Sequence, residues 1–181
     1  MDHAIVVGVD HFLQNLDSVY LTSAGKESAA EQRAALRTRL EELISQNRPQ
    51  LIAEEENPRE RSIGKLLAEA HKLKYCTLTM PWEERYKVGI AEGYNNTRES
   101  RRASYELFES FMFEQIVKNR GDATSILVIC GSYHAERLAT LLANAGQSAC
   151  AEDTYYASWY RGRPIETAEG VVGFNKDRPD V

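Results

Sequence analysis

Ser125-Ile-Leu-Val-Ile-Cys-Gly-Ser-Tyr-His134 is the stretch that decides how this chain folds. Its apolar run is too short for a buried helix and shows no alternation of polar and apolar residues. It therefore reads as a strand covered on both faces, the kind found in parallel sheets. Gly131 closes the run. The chain then turns directly into a helical pattern carrying Leu138, Leu141 and Leu142, with Gly146 as its C-terminal signal.

The same strand-then-helix grammar repeats outward from this unit. Ala4 to Gly8 is a second β-branched run. Lys26 to Asn47 is a long helix-forming stretch with Leu36, Leu40, Leu43 and Ile44 at helical spacing, stopped by Pro49. Leu51-Ile52-Ala53 rises as a strand into Glu54-Glu55-Glu56. Arg61 to Lys74 is amphipathic through Ile63, Leu66, Leu67, Ala70 and Leu73. Tyr75 to Met80 reads as a strand ended by Pro81, and Trp82 to Asn96 as a short helix followed by a loop. Arg98 to Asn119 is the longest helix, with Thr97 as N-cap, a stripe of Leu107, Phe111 and Ile116, and Gly121 after it. Ser148 to Ala151 adds a fifth strand. Strands alternating with helices of this length predict an α/β fold: a mostly parallel sheet with helices on both faces and right-handed crossovers. The expectation is a single three-layer domain over 1–181, with a core of about 3–151 and with 152–181 as a tail or lid.

The 181 residues suit one domain. The formal net charge of −5 leaves no general basic footprint for nucleic acid. Arg98, Arg101 and Arg102 form the one local exception, read as a solvated helix face or a small anionic partner's contact. No apolar stretch approaches the ~20 residues needed to cross a bilayer, so no membrane partner is expected. Met1 to Asp10 does not resemble a signal peptide. Three scattered cysteines without a CxxC pair read as reduced thiols, which places the chain in the cytoplasm. A homodimer is the default expectation for such a domain.

Two strand ends share one form: Gly8-Val9-Asp10-His11 and Gly131-Ser132-Tyr133-His134. Between them in sequence, a third strand ends in Glu54-Glu55-Glu56. Open α/β sheets bind ligands beyond the carboxyl ends of their strands. If the three strands adjoin, His11, His134 and one glutamate meet in one cleft. Imidazole and carboxylate can ligate a divalent metal, or they can exchange protons near neutral pH. Gly8 and Gly131 allow a sharp turn or close approach to a ligand. Asp10 and Glu54 are expected as supporting carboxylates that orient an imidazole, and Tyr133 as a pocket wall. His3 and His71 read as structural. Ser132 lacks the second glycine of a nucleophile elbow, and neither a dinucleotide fingerprint nor a P-loop occurs. Tyr155, Tyr156, Trp159 and Tyr160 read as tail packing or as a lid over the cleft.

With these residues in view, the chain resembles the superfamily that groups TraB/TIKI-type proteins, ChaN-like haem-binding proteins and erythromycin esterases. The shared pattern is a first strand ending in GxxH (Gly8, His11), a second ending in glutamate (Leu51-Ile-Ala-Glu-Glu55) and a late strand ending in GxxH (Gly131, His134). Aligning Pro49 puts the family glutamate at Glu55, with Glu54 as the fallback. Glu109-Ser-Phe-Met112 is similar to the start of the helix before the last strand, although Phe108 stands where relatives carry arginine. The resemblance covers most of 4–146. It implies a hydrolase acting on a small molecule or peptide through His11, Glu55 and His134, with a divalent metal on those three residues activating water. The alternative it implies is a ChaN-like haem-binding module without turnover, with histidine or tyrosine as axial ligand. A third reading is an interaction domain that kept the fold and lost the chemistry.

Overall fold

The computed structural model describes residues 2–14, 23–56, 61–90, 98–153, 165–167 and 170–172. Strand β1 (His3–Val9) leads into a single helical turn, α1 (His11–Gln14), and then the long helix α2 (Ser23–Asn47). Strand β2 (Leu51–Glu54), helix α3 (Ile63–His71) and strand β3 (Lys74–Thr77) follow. Two helices come next, α4 (Trp82–Lys87) and α5 (Arg98–Arg120), before strand β4 (Ser125–Gly131), helix α6 (Ala135–Asn144) and strand β5 (Ser148–Asp153). A small antiparallel hairpin, β6 (Ile165–Thr167) with β7 (Gly170–Val172), ends the described chain, and β6 packs against α2.

All five main strands run parallel in the order β3-β2-β4-β1-β5. The two apolar faces of this sheet make two cores. One joins Ala4, Val6, Leu51, Ala53 and Val128 to Phe108, Met112 and Ile116 of α5 and to Leu138 and Leu142 of α6. The other joins Ile5, Val7, Ile52, Leu127 and Ile129 to Leu36, Leu40 and Leu43 of α2 and to Ile63 and Leu67 of α3. Odd and even strand residues part to opposite faces, as a period of two requires. The chain first moves one way along the sheet, β1 to β2 to β3, with its helices on one face. It then returns through β4 to β5 with its helices on the other. Reversing direction and face together keeps one hand for every crossover. The expected three-layer α/β architecture is therefore present.

Some boundaries differ from the sequence reading for identifiable reasons. Helix α3 is shorter than 61–74 because Ser62 caps it, its hydroxyl accepting the Lys65 amide at 3.2 Å, and Lys72 ends it in the left-handed region at φ 56°. Such a cap stabilises by about 1 kcal/mol. Strand β3 stops at Thr77 rather than Met80; Leu78 still donates its amide to Glu54 at 2.7 Å before the chain leaves the sheet. On α5 the buried stripe runs through Phe108, Met112 and Ile116, and Leu107 faces outward. Arg102 on that helix is exposed and pairs with Glu106 at 3.6 Å. Thr97 and the aromatic group at 155–160 lie outside the described residues, as do the side chains of Arg98 and Arg101.

Candidate functional site

Strand order builds the site. Strand β4 lies between β1 and β2, so the ends of three strands that are distant in sequence sit side by side. The ladders continue one residue past the strands: Glu55 donates its amide to Ile129 at 2.8 Å, and Ser132 donates to Val9 at 3.0 Å. This fixes the backbone of each site segment to its neighbour. Glu55, following β2, then reaches over the end of β4, where one carboxylate oxygen accepts the Gly131 amide at 2.9 Å.

Both expected imidazoles face that carboxylate. His11 Nε2 stands 3.9 Å from Glu55 Oε2, and His134 Nε2 stands 3.9 Å from Glu55 Oε1. These are ion-pair separations, longer than a direct hydrogen bond. Gly131 lies directly beneath the two rings. A Cβ there would come within 2.9 Å of His11 Nε2 and 3.4 Å of His134 Cδ2. Thus His11, Glu55, His134 and Gly131 come together as the sequence implied.

Each ring is held from behind by a residue the sequence reading did not assign to that role. Fully buried Gln14, one helical turn after His11, donates its amide to the Glu55 carbonyl at 3.0 Å. Its oxygen therefore faces His11 Nδ1, at 2.7 Å. An amide oxygen only accepts, so this partner assigns the proton to Nδ1 and leaves the Nε2 lone pair toward Glu55. On the other side, buried Glu109 of α5 meets His134 Nδ1 at 3.1 Å. The His11-x-x-Gln14 spacing on one helical face was a readable signal. Glu109 was visible as part of the Glu109-Ser-Phe-Met112 resemblance and as a carboxylate beside apolar Phe108, Met112 and Ile116, without a partner assigned.

The electrostatics follow from this packing. Burial alone would raise the Glu55 carboxyl, but the imidazoles of His11 and His134, the Gly131 amide and the Arg85 guanidinium outweigh it. They hold Glu55 below the ordinary carboxylate range. Burial would likewise lower His134, yet the hydrogen bond that its Nδ1–H donates to Glu109, with the charges of Glu55 and Glu109, raises it above the ordinary histidine value. His11 differs in access: half of its side chain is open, against 7 % for His134. Tyr105 meets the His134 ring edge-on at 5.1 Å and stacks on exposed Tyr133 at 5.9 Å.

Two expected roles change. Glu54 is not a supporting carboxylate of the imidazoles. Alternation along β2 sends it to the opposite face, where it accepts from the Ser62 hydroxyl at 2.6 Å and from the Gly64 and Lys65 amides and the Tyr75 hydroxyl at 3.2 Å each. It ties β2 to α3 and β3, and its burial raises its carboxyl above the ordinary value. Gly8 faces no ligand space. A Cβ there would meet Ala135 Cβ at 2.9 Å and Ser132 Cα at 3.0 Å, so this glycine lets α6 close on β1. Asp10 contributes its carbonyl, which accepts the Leu13 amide at 2.8 Å and starts α1. A shallow cavity of about 240 Å³ between α2 and α3, lined by Arg33, Arg37, Ile63 and Leu67 among others, shares no residue with the cluster.

Among the described residues, no group of three or more His, Cys, Asp or Glu side chains is arranged to hold a metal ion. Among the same residues, no helix is long and apolar enough to cross a membrane. The fold and site define a parallel α/β domain with a strand-end His/Glu/His cluster. Compared with family models, with curated proteins and with solved structures, the chain shows no match.

Proposed function

We propose that this protein is a hydrolase that cleaves an ester or amide bond of a small molecule or peptide by acid–base catalysis at His11, Glu55 and His134. One observation carries the reading: two imidazoles of opposite accessibility flank a single partly buried carboxylate, each at 3.9 Å. His11, open to solvent and with its Nε2 lone pair exposed by Gln14, takes a proton from the attacking water. Glu55 stabilises the imidazolium that forms and positions both rings. His134, biased toward its protonated form by Glu109, donates a proton to the leaving group. Two histidines placed in different environments thereby take opposite roles, the usual route to acid and base at one pH.

The chemistry of the donor set is also that expected for a divalent metal on His11, Glu55 and His134. Among the described residues these side chains are not arranged as a closed metal-binding group, so the steps above are carried by the three side chains themselves. Cytoplasmic residence belongs to the same proposal. It is supported by three cysteines present as thiols, Cys76 and Cys130 buried and Cys150 exposed.

The test is a panel of 4-nitrophenyl esters with His11→Ala, His134→Ala and Glu55→Gln, and elemental analysis of the same samples. General acid–base groups contribute roughly 10²–10⁴-fold. Each variant is expected to lose at least about 100-fold in kcat/KM while keeping its fold by circular dichroism. Folded variants as active as the wild type would end the reading. A Soret band on haem titration, lost in His134→Ala, would instead place the site among binding modules.

A further inference from the structure

Arg85, on the short helix α4, is a cation felt at this site to which the proposed proton transfers assign no contact with substrate. Its Nε donates to the Met80 carbonyl at 3.0 Å. Its guanidinium carbon lies 4.9 Å from the Trp82 ring centroid and 5.0 Å from that of Phe108. Phe108 in turn packs on the His134 ring at 6.4 Å, so one aromatic side chain touches both the guanidinium and a site imidazole. The Arg85 charge is felt at Glu55, which it helps keep ionised.

The inner edge and the ring contacts of this guanidinium are thus occupied. Its two terminal nitrogens make no hydrogen bond or ion pair among the described residues. An arginine whose rotamer is fixed by a carbonyl and two rings, and whose terminal nitrogens pair with none of the described residues, is already arranged for two-oxygen contact with a carboxylate or phosphate. Fixing it beforehand removes the ordering cost at the moment of binding. Exposed Trp82, on the same helix, offers flat apolar surface beside the guanidinium.

We propose that Arg85 is the anion-recognition residue of the site, and that the substrate carries a carboxylate or phosphate bound by its terminal nitrogens while the scissile bond lies over Glu55. This deepens the hydrolase reading and rests on it for the word substrate; recognition of the anion itself does not.

The experiment compares an anionic ester, 4-nitrophenyl hemisuccinate, with a neutral one, 4-nitrophenyl butyrate, in the wild type, Arg85→Gln and Arg85→Lys. Binding of benzoate and of benzamide is measured in parallel by calorimetry. Losing a charged, forked hydrogen bond corresponds to a roughly ten- to hundred-fold effect. The anionic-to-neutral ratio of kcat/KM should fall by about that factor in Arg85→Gln and by less in Arg85→Lys, mainly through KM. Benzoate should bind more tightly than benzamide only while residue 85 is basic. Equal ratios and equal benzoate affinity in all three proteins would overturn the inference. Should that happen while His11→Ala still abolishes turnover, the hydrolase reading stands alone. If benzoate binding needs Arg85 but His11→Ala keeps full turnover, anion recognition stands and the mechanism falls. Arg85→Lys retains stem and charge, so the comparison survives if Arg85→Gln does not fold.

Discussion

Replacing Gly131 with alanine should separate activity from stability, and the size of each effect can be worked from the structure. The added Cβ would sit 2.9 Å from His11 Nε2 and 3.4 Å from both His11 Cε1 and His134 Cδ2. Ordinary contact at ~3.5 Å or more requires the His11 ring to retreat by about half an ångström. That ring can move, because half of its side chain is exposed and α1 is a single turn. Its retreat weakens the 2.7 Å bond to Gln14, a loss of about 1 kcal/mol. Alanine in a strand recovers roughly 0.5–1 kcal/mol relative to glycine. Net stability should therefore change by less than about 1 kcal/mol. Catalysis should suffer more, because misplacing a catalytic group by such amounts costs on the order of 10²-fold. The counterpart is Gly8→Ala, whose Cβ would strike Ala135 and the Ser132 backbone rather than a movable side-chain end. Overpacking of that kind costs about 1–3 kcal/mol, with little specific effect on any ester turnover by the folded variant. Urea denaturation and kcat/KM on the most responsive ester, measured on both variants, make the assay. A fully active Gly131→Ala, or one that is strongly destabilised while Gly8→Ala is not, would refute the placement of the two imidazoles over Gly131.

Further outcomes follow from the buried carboxylates. Glu109→Gln keeps the shape but replaces a charged hydrogen bond with a neutral one, a difference of about 1–2 kcal/mol; the His134 titration followed by NMR should move to lower pH, and an unmoved titration would dissociate Glu109 from His134. Because the fold raises His134, its contribution to stability is complete below the unfolded value of 6.5 and fades as pH rises through the higher folded value. The Glu109→Gln deficit in chemical denaturation should accordingly be largest near pH 6 and shrink toward pH 8. Glu54→Gln should cost about 1–3 kcal/mol by leaving donors at Ser62, Gly64, Lys65 and Tyr75 imperfectly matched, with kcat/KM within a few-fold of wild type; a folded but inactive variant would return Glu54 to the chemistry. Since burial raises the Glu54 carboxyl, wild-type stability from this group is greatest below about 4.5 and declines as pH rises through the folded value. The Glu54→Gln deficit should narrow over that interval.

How much of this was legible in the chain differs by element. Ile126–Cys130 and Ala4–Gly8 had to be buried strands, because apolar runs so short and so rich in β-branched residues fit little else. The helix stripe Leu36, Leu40, Leu43 and Ile44 named its own buried face, and all four are in the core. Glycine and histidine at matched distances past two strand ends, with glutamates past a third, gave the three central side chains. Aligning Pro49 with the family pattern prefers Glu55 to Glu54, and strand alternation in the structure sends the two to opposite faces.

Local pattern fixes which residues form strands and which end they project from, because hydrophobic period and turn chemistry are properties of neighbours in sequence. It does not fix who stands beside whom. Only the insertion of β4 between β1 and β2 lets one carboxylate reach two imidazoles whose residues are 123 positions apart. Likewise, only the seating of α5 on that sheet, with Arg85 of α4 against it, brings Glu109 behind His134 and Arg85 against Phe108. Those contacts join distant segments, so their energies appear when the chain has closed on itself and leave almost no trace in the order of its residues.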